Sequence, residues 1–211
     1  FCQDKIMTTG GEGGMVTTND WALWSAMWSF KDHGKSWAAV YQREHPPGFR
    51  WLHESFGTNW RMIEVQAAIG RIQLRRMAEW HVVRLANARK IWQVADRLVG
   101  LRAPQPGEGV VHAAYKCYVF AEPQRLSAGW SRDRIIQEVV AAGVPCYAGS
   151  CSEIYLEKAF EGTGWRPRER LAVARELGET SLMFLVHPTL SADEIEKTCS
   201  VLQAVMARAV H

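Results

Sequence analysis

Phe1-Cys2-Gln3-Asp4-Lys5-Ile6-Met7-Thr8-Thr9-Gly10-Gly11-Glu12-Gly13-Gly14 sets one lysine at the mouth of a glycine-rich turn. With Met15-Val16-Thr17-Thr18 beyond it, two short β-prone runs flank the glycines, a pattern that predicts a hairpin over residues 6 to 18. The lysine itself is open to two readings. An amine forms an imine only when deprotonated, and bringing a lysine from ~10.4 to near neutrality takes roughly 5 kcal/mol of environmental bias, which a buried, cofactor-lined site provides. Otherwise Lys5 is an ordinary solvated lysine beside a turn. A phosphate loop is a poor match, because neither Gly-x-x-x-x-Gly-Lys-Ser/Thr nor Gly-x-Gly-x-x-Gly ahead of a helix is present.

Outward from this turn, Asn19 and Asp20 offer N-caps for a helix that carries Trp24, Met27 and Trp28 on one face. Residues 31 to 58 are polar, hold His45-Pro46-Pro47-Gly48 and keep no sustained period, so they are expected to form a long functional loop. From Met62 to about Leu98 there is no proline and one glycine, Gly70. Val65, Ile69, Ile72, Trp80, Val83, Ile91, Val94 and Leu98 recur there at helical spacing, which predicts one long helix. Gly100 to Gly109, with Pro104 and Pro106, breaks the pattern and is the candidate domain boundary. Beyond it, strands are expected at Tyr115–Ala121 and Val144–Tyr147 and helices at Ser131–Ala142 and Arg168–Leu177, and Leu182–Val186 is another apolar run. Ser191 with Glu194 forms a capping-box pattern ahead of a closing helix through Ile195, Cys199, Leu202 and Val205.

With 47% hydrophobic and 22% charged residues, 211 residues are enough to bury a core of one large or two small domains. The net charge of +3 arises from residues spread along the chain, without the basic stripe of a nucleic-acid binder. No apolar run approaches the ~18 residues of a membrane span, and no signal peptide opens the chain, so a cytoplasmic protein is expected. Cys2, Cys117, Cys146, Cys151 and Cys199 are odd in number and scattered, which favours reduced thiols over a disulfide framework. Cys146 and Cys151 lack zinc spacing and the histidines are dispersed, so no metal site is expected. A nucleophilic Cys151 paired with His187 has nothing in the sequence to fix its geometry. The tryptophans read as core or interface material. Phe1 is not an initiator methionine, and an upstream segment is expected.

The opening segment is similar to the lysine motif of the DegT/DnrJ/EryC1/StrS aminotransferases, in which Ser-Phe precedes the cofactor-binding lysine and Thr-Thr-Gly-Glu-Gly-Gly follows it. This chain has one extra glycine. Gly57-Thr58-Asn59-Trp60-Arg61-Met62 resembles the family's Gly-x-Asn-Tyr-Arg-Met, with Trp60 in place of tyrosine, and Gln66-Ala67-Ala68-Ile69-Gly70 with Gln73-Leu74 resembles the helix that follows. Gly143-Val144-Pro145 and His187-Pro188-Thr189-Leu190 are similar to the small-domain landmarks. The resemblance spans the chain and about the second half of the family pattern.

That resemblance implies an α/β fold of the aspartate-aminotransferase-like kind, pyridoxal-phosphate-dependent fold type I. Residues 1–61 would be the end of the large domain, 62–99 a connecting helix and 100–211 a small α+β domain. It implies that Lys5 holds pyridoxal phosphate as an imine and then moves protons. It also implies that Asn59 reaches across a homodimer interface to the cofactor phosphate of the neighbouring subunit, its amide being a competent donor to phosphate oxygens. Read without the family, Asn59 is a loop residue capping the next helix. Arg61 either meets an anionic substrate or serves structure. The implied reaction transfers an amino group, from glutamate, to a keto group on a nucleotide-linked sugar for polysaccharide or amino-sugar synthesis. A sugar-dehydratase branch replaces the lysine with histidine, so Lys5 favours transamination; a non-catalytic truncated module is the other alternative. The serine before the lysine motif, the aspartate at the pyridine nitrogen and the stacking aromatic lie outside this sequence. The chain alone is therefore expected to bind cofactor weakly and to self-associate through Trp24, Met27 and Trp28.

Overall fold

Asp20 starts the first helix. Its carboxylate accepts the Leu23 N–H at 3.0 Å, and α1 (Trp21–Lys31) follows in the computed structural model, which describes residues 1–104 and 106–210. Trp21, Trp24 and Trp28 stack along α1 with ring centroids 4.7 and 6.4 Å apart. Trp37, from the short helix α2 (Trp37–Tyr41), meets both Trp24 and Trp28 edge-on at 5.1 Å. The aromatic face of α1 thus packs in part on α2, and Trp24, Met27 and Trp28 end half-buried.

Two expectations for this region are corrected. Residues 31 to 58 are not loop throughout: Ser36 caps α2 through the Ala39 N–H, Ala39 and Leu52 are buried, and isolated bridges join Asp32 to Asn59 and Lys35 to His53. The hairpin over residues 6 to 18 does not form as a strand pair. Thr9 is fully buried and the glycine turn packs on the beginning of a later helix, while Met15 and Val16 are 74% and 72% exposed. A two-stranded hairpin is marginal by itself. Here the first limb has a better partner than the second.

That later helix, α3 (Glu64–Ala95), is the long element expected from Met62 onward. The chain divides into two compact units, Phe1–Met77 and the residues from Ala78 onward, and the division falls inside α3. In the first unit Ile69 and Gly70 meet the glycine turn, whereas Val65 and Ile72, on the predicted apolar stripe, stay 60% and 45% exposed. In the second unit Ala88, Ile91, Trp92 and Ala95 make a buried stripe at helical spacing. Trp92 Nε1 donates to the Tyr118 carbonyl at 2.9 Å, so the indole is satisfied as it is buried.

The stretch Gly100–Gly109 opens with a short strand, β1 (Leu101–Arg102); Gln105 within it lies outside the described residues, as does His211. β2 (Cys117–Ala121), β3 (Cys146–Tyr147) and β4 (Ser181–Phe184) complete an antiparallel sheet of order β1-β2-β4-β3. Cys117 and Cys146 both face Phe184 across the ladder. β2 alternates buried and half-buried positions, whereas every residue of β4, a central strand, is buried.

The helices α4 (Arg132–Ala141) and α6 (Ala192–Ala209) contribute Ile135, Val139, Cys199, Leu202, Val205 and Met206 to the same core. Gly143, at φ +77, ends α4 and lets the Val144 N–H reach the Val139 carbonyl at 3.2 Å. Val144 is thereby spent on the helix end, and the strand begins only at Cys146. The helix expected at Arg168–Leu177 is displaced to α5 (Ala172–Thr180), because the Leu171 N–H donates to Tyr155 Oη at 2.9 Å and Leu171 stays extended. Among the described residues no helix is long and apolar enough to cross a membrane.

Candidate functional site

The glycine turn is held from within and from α3. Gly13 N–H donates to the Phe1 carbonyl at 3.0 Å, Thr9 Oγ1 to the Gly11 carbonyl at 3.3 Å, and Gln66 Nε2 to the Glu12 carbonyl at 2.9 Å. A Cβ on Gly13 would stand 2.8 Å from Met62 Cε and 2.9 Å from Thr9 Oγ1, so a larger residue there requires those side chains to shift. Lys5 emerges from this framework. Its backbone N–H donates to the Cys2 carbonyl at 3.3 Å, its side chain is 52% exposed, and Nζ lies 3.6 Å from Asp4 Oδ1.

A second cluster forms where α1 ends. Thr58 and Trp60 N–H donate to the carbonyls of Phe30 and Lys31 at 2.7 and 3.0 Å, and His33 N–H donates to the Thr58 carbonyl at 2.9 Å. Gly57–Arg61 is therefore laid back along the end of α1. Asp32 is buried there at 8% exposure and gathers three cations on its carboxylate: Arg61 Nη1 at 3.3 Å, Lys35 Nζ at 3.4 Å and Lys31 Nζ at 3.8 Å. Arg61 Nε donates to Asn59 Oδ1 at 3.2 Å and Nη2 to His33 Nε2 at 3.4 Å. A guanidinium only donates, so the amide atom facing it is the oxygen and the Asn59 NH₂ is turned away. Asn59 itself is exposed.

Of the residues singled out from sequence, Asn59 and Arg61 are joined directly, and Lys5 sits on the separate glycine turn of the same unit. Asp32, His33 and Gly34 were missed. The available signal was Asp-His-Gly after a helix, with Gly34 at φ +82 and His33 at φ 60, a helix-ending conformation that is uncommon without glycine. Cys151 and His187 have different partners: Cys151 Sγ donates to Glu157 Oε1 at 3.8 Å, and His187 Nδ1 pairs with Thr189 Oγ1 at 2.7 Å.

The second unit holds another concentration of charge, around a cavity of about 520 Å³ lined by Arg102, Glu122, Arg170, Arg175, Glu176 and Glu179. Its arginines are largely engaged. Arg170 bridges Glu153 and Glu179, Arg175 pairs with Glu179 at 3.1 Å, and Arg102 covers the Phe120 ring at 4.5 Å. Glu153 also accepts from Tyr155 Oη at 2.6 Å, and the Arg170 guanidinium with that hydroxyl brings its carboxyl down to about 2. Such a network ties the segment before α5 to Glu153 on one side and to Glu179 of α5 on the other.

The glycine turn with its lysine and the Asn-x-Arg turn occur within a chain whose residues 1–203 match the model of the DegT/DnrJ/EryC1/StrS aminotransferase family. The chain belongs to that family. A solved aminotransferase from Psychrobacter cryohalolentis superposes with a TM-score of 0.93 at 59% identity, covering 98% of this chain and 54% of that one. The GDP-perosamine synthase of Escherichia coli O157:H7 is 40% identical over 205 residues, 94% of this chain and 48% of the relative. That of Caulobacter vibrioides is 29% identical over 98% of this chain and 51% of the relative. The chain thus spans about half the length of the curated relatives it matches. Its fold is the family's fold type I, α/β and aspartate-aminotransferase-like, as expected from the lysine motif. The family's cofactor is pyridoxal phosphate.

The residues present suit that cofactor in kind. Lys5 offers a half-exposed primary amine, and Asn59 an exposed amide whose NH₂ is aimed away from Arg61.

Proposed function

We propose that the protein containing this chain is an aminotransferase that moves an amino group from glutamate to a keto group on a nucleotide-linked hexose. It would act in the cytoplasm as a homodimer with shared sites. The observation that carries the reading is Lys5, the reactive amine of the family's lysine motif, in a chain 40% identical to a GDP-perosamine synthase. In this reading residues 1–61 end the cofactor-binding large domain, 62–99 connect, and 100–211 form the small domain.

Lys5 Nζ would hold the carbonyl carbon of pyridoxal phosphate, and Asn59 Nδ2 would hold its phosphate from the neighbouring subunit. When bound, the cofactor supplies an electron sink for an amino group that changes carbons. The work of the chain is positional. Gln66 keeps the lysine turn on α3, with Met62 just before the helix packed against it, and Lys5 Nζ, when not holding the cofactor, would carry protons as a general base and acid. Arg61 holds Asn59 and presents the remaining positive charge to an anionic substrate.

The test is borohydride reduction of the protein expressed from the full reading frame that encodes this chain, incubated with pyridoxal phosphate and mapped by peptide mass. A pyridoxyl group on Lys5 is expected. Labelling at Lys31 or Lys35 instead, or at no lysine, would sink the proposal.

A further inference from the structure

We infer that Asp32 is a positioning residue for cofactor-phosphate binding: through Arg61 it fixes the Asn59 amide with its NH₂ outward. The inference rests on the proposed role of Asn59 and extends it to a residue that has no contact with the cofactor.

Asp32 sits in an electrostatically poor place. It is the residue at the C-terminal end of α1, where the helix dipole disfavours a negative charge, and it is buried. An uncompensated carboxylate is costly there, so the site depends on its cations. Lys31 and Lys35 could have met that need alone. Lys31 also lies over the Trp28 ring at 5.0 Å and Lys35 over the Phe49 ring at 5.1 Å, so neither is joined to Asn59. Arg61 differs, because it arrives from the turn that carries Asn59 and uses separate donors on the two residues. Nη1 is on Asp32 and Nε on Asn59. The planar guanidinium makes those directions rigid, which a lysine ammonium could not do.

Without Asp32 the Arg61 fork has only His33 and Asn59 to orient it, and arginine is a long, rotamer-rich side chain. The Asn59 amide is then free to rotate and to present oxygen as readily as nitrogen. Oxygen facing a phosphate repels it. The consequence is selective: the phosphate is held less well, and the aldehyde end of the cofactor, which meets Lys5, is untouched.

The experiment compares pyridoxal phosphate with pyridoxal, which lacks the phosphate, as half-saturating concentrations for borohydride-trapped adduct on Lys5 in the protein from the full reading frame. Asp32→Asn, isosteric and neutral, should weaken pyridoxal phosphate about tenfold and leave pyridoxal unchanged. In an Asn59→Ala background the same substitution should shift neither ligand further, because the group it orients is gone. Arg61→Met is the second variant, in case Asp32→Asn does not fold. It leaves Asp32 with both lysines and should give the same phosphate-selective loss. Equal weakening of both ligands, an unchanged preference for the phosphate, or an additive effect in the Asn59→Ala background each overturns the inference while Lys5 labelling stands. Absence of Lys5 labelling in the wild type overturns it together with the proposed function.

Discussion

Gly34→Ala tests whether the end of α1 is held as tightly as the geometry requires. Gly34 has φ +82, and a Cβ placed on it would stand 1.8 Å from the Ser55 carbonyl oxygen and 2.6 Å from its carbon. Ordinary contacts are about 3.5 Å, so the two backbones must part by more than an ångström. Separation endangers the Glu54 and Ser55 N–H bonds to the Gly34 carbonyl, at 3.0 and 3.2 Å, and the Gly34 N–H bond to Ser29 at 2.8 Å. At about 1 kcal/mol net for each of the three bonds, and about 1–2 kcal/mol for a left-handed alanine, the cost is about 4–5 kcal/mol. Gly48→Ala is the internal control: it shares a positive φ, +96, but nothing lies within 4 Å of its Cβ. Only the conformational cost of about 1–2 kcal/mol applies there. Urea unfolding followed by tryptophan fluorescence should separate the two variants by about 2 kcal/mol or more. Equal midpoints would refute the close packing of Gly34 on Ser55, and with it the bracing of the Asn59 turn.

Two further outcomes follow from the second unit. Glu153 has its carboxyl lowered from 4.5 to about 2 by Arg170 and Tyr155, so the unfolded chain binds its proton more readily than the folded one. Its contribution to stability is complete above about pH 4.5 and disappears as the pH falls towards 2; Glu153→Gln should therefore flatten the acid limb of the urea midpoint against pH, and an unchanged limb contradicts this. Burial drives the Cys146 thiol up to about 12 and raises Cys117 and Cys199 as well, so alkylation at neutral pH in the native state should modify Cys2 and Cys151 alone, with all five reacting after unfolding.

The elements legible in the sequence are those whose determinants lie within a few residues. Ser191 and Glu194 form the capping box that begins α6: Glu194 N–H donates to Ser191 Oγ at 3.2 Å, and Ser191 N–H to Glu194 Oε2 at 2.7 Å. Asp20 likewise caps α1 as its local pattern predicts, and Ser131, the expected start of a helix, caps α4. The errors arise where a distant partner decides. The hairpin at residues 6 to 18 loses to Gln66 and Ile69 of α3, and to Met62 just before it, which meet its glycine turn. The start of α5 moves because Tyr155, on a segment with no periodic pattern, takes the Leu171 N–H.

The candidate site divides along the same line. Lys5, Asn59 and Arg61 stand inside runs whose order of residue types is itself the signal, and a family motif can be matched without knowing what surrounds it. For Asp32 the only signal, Asp-His-Gly after a helix, marks a helix end and names no chemistry. After a helix an aspartate reads as solvated, and Lys31-Asp32-His33-Gly34-Lys35 reads as a mixed-charge loop. Its part in the site exists only because Gly57 lets the later turn close on the end of α1: a Cβ there would lie 2.4 Å from the Gly34 nitrogen and 2.6 Å from the Phe30 carbonyl oxygen. Two glycines so close to each other's backbone make one contact, and that contact brings Arg61 within reach of Asp32. The candidate site residues Lys5, Asn59 and Arg61 are visible as motifs; Asp32, which we propose orients Asn59, becomes visible only through the backbone crossing between Gly34 and Gly57.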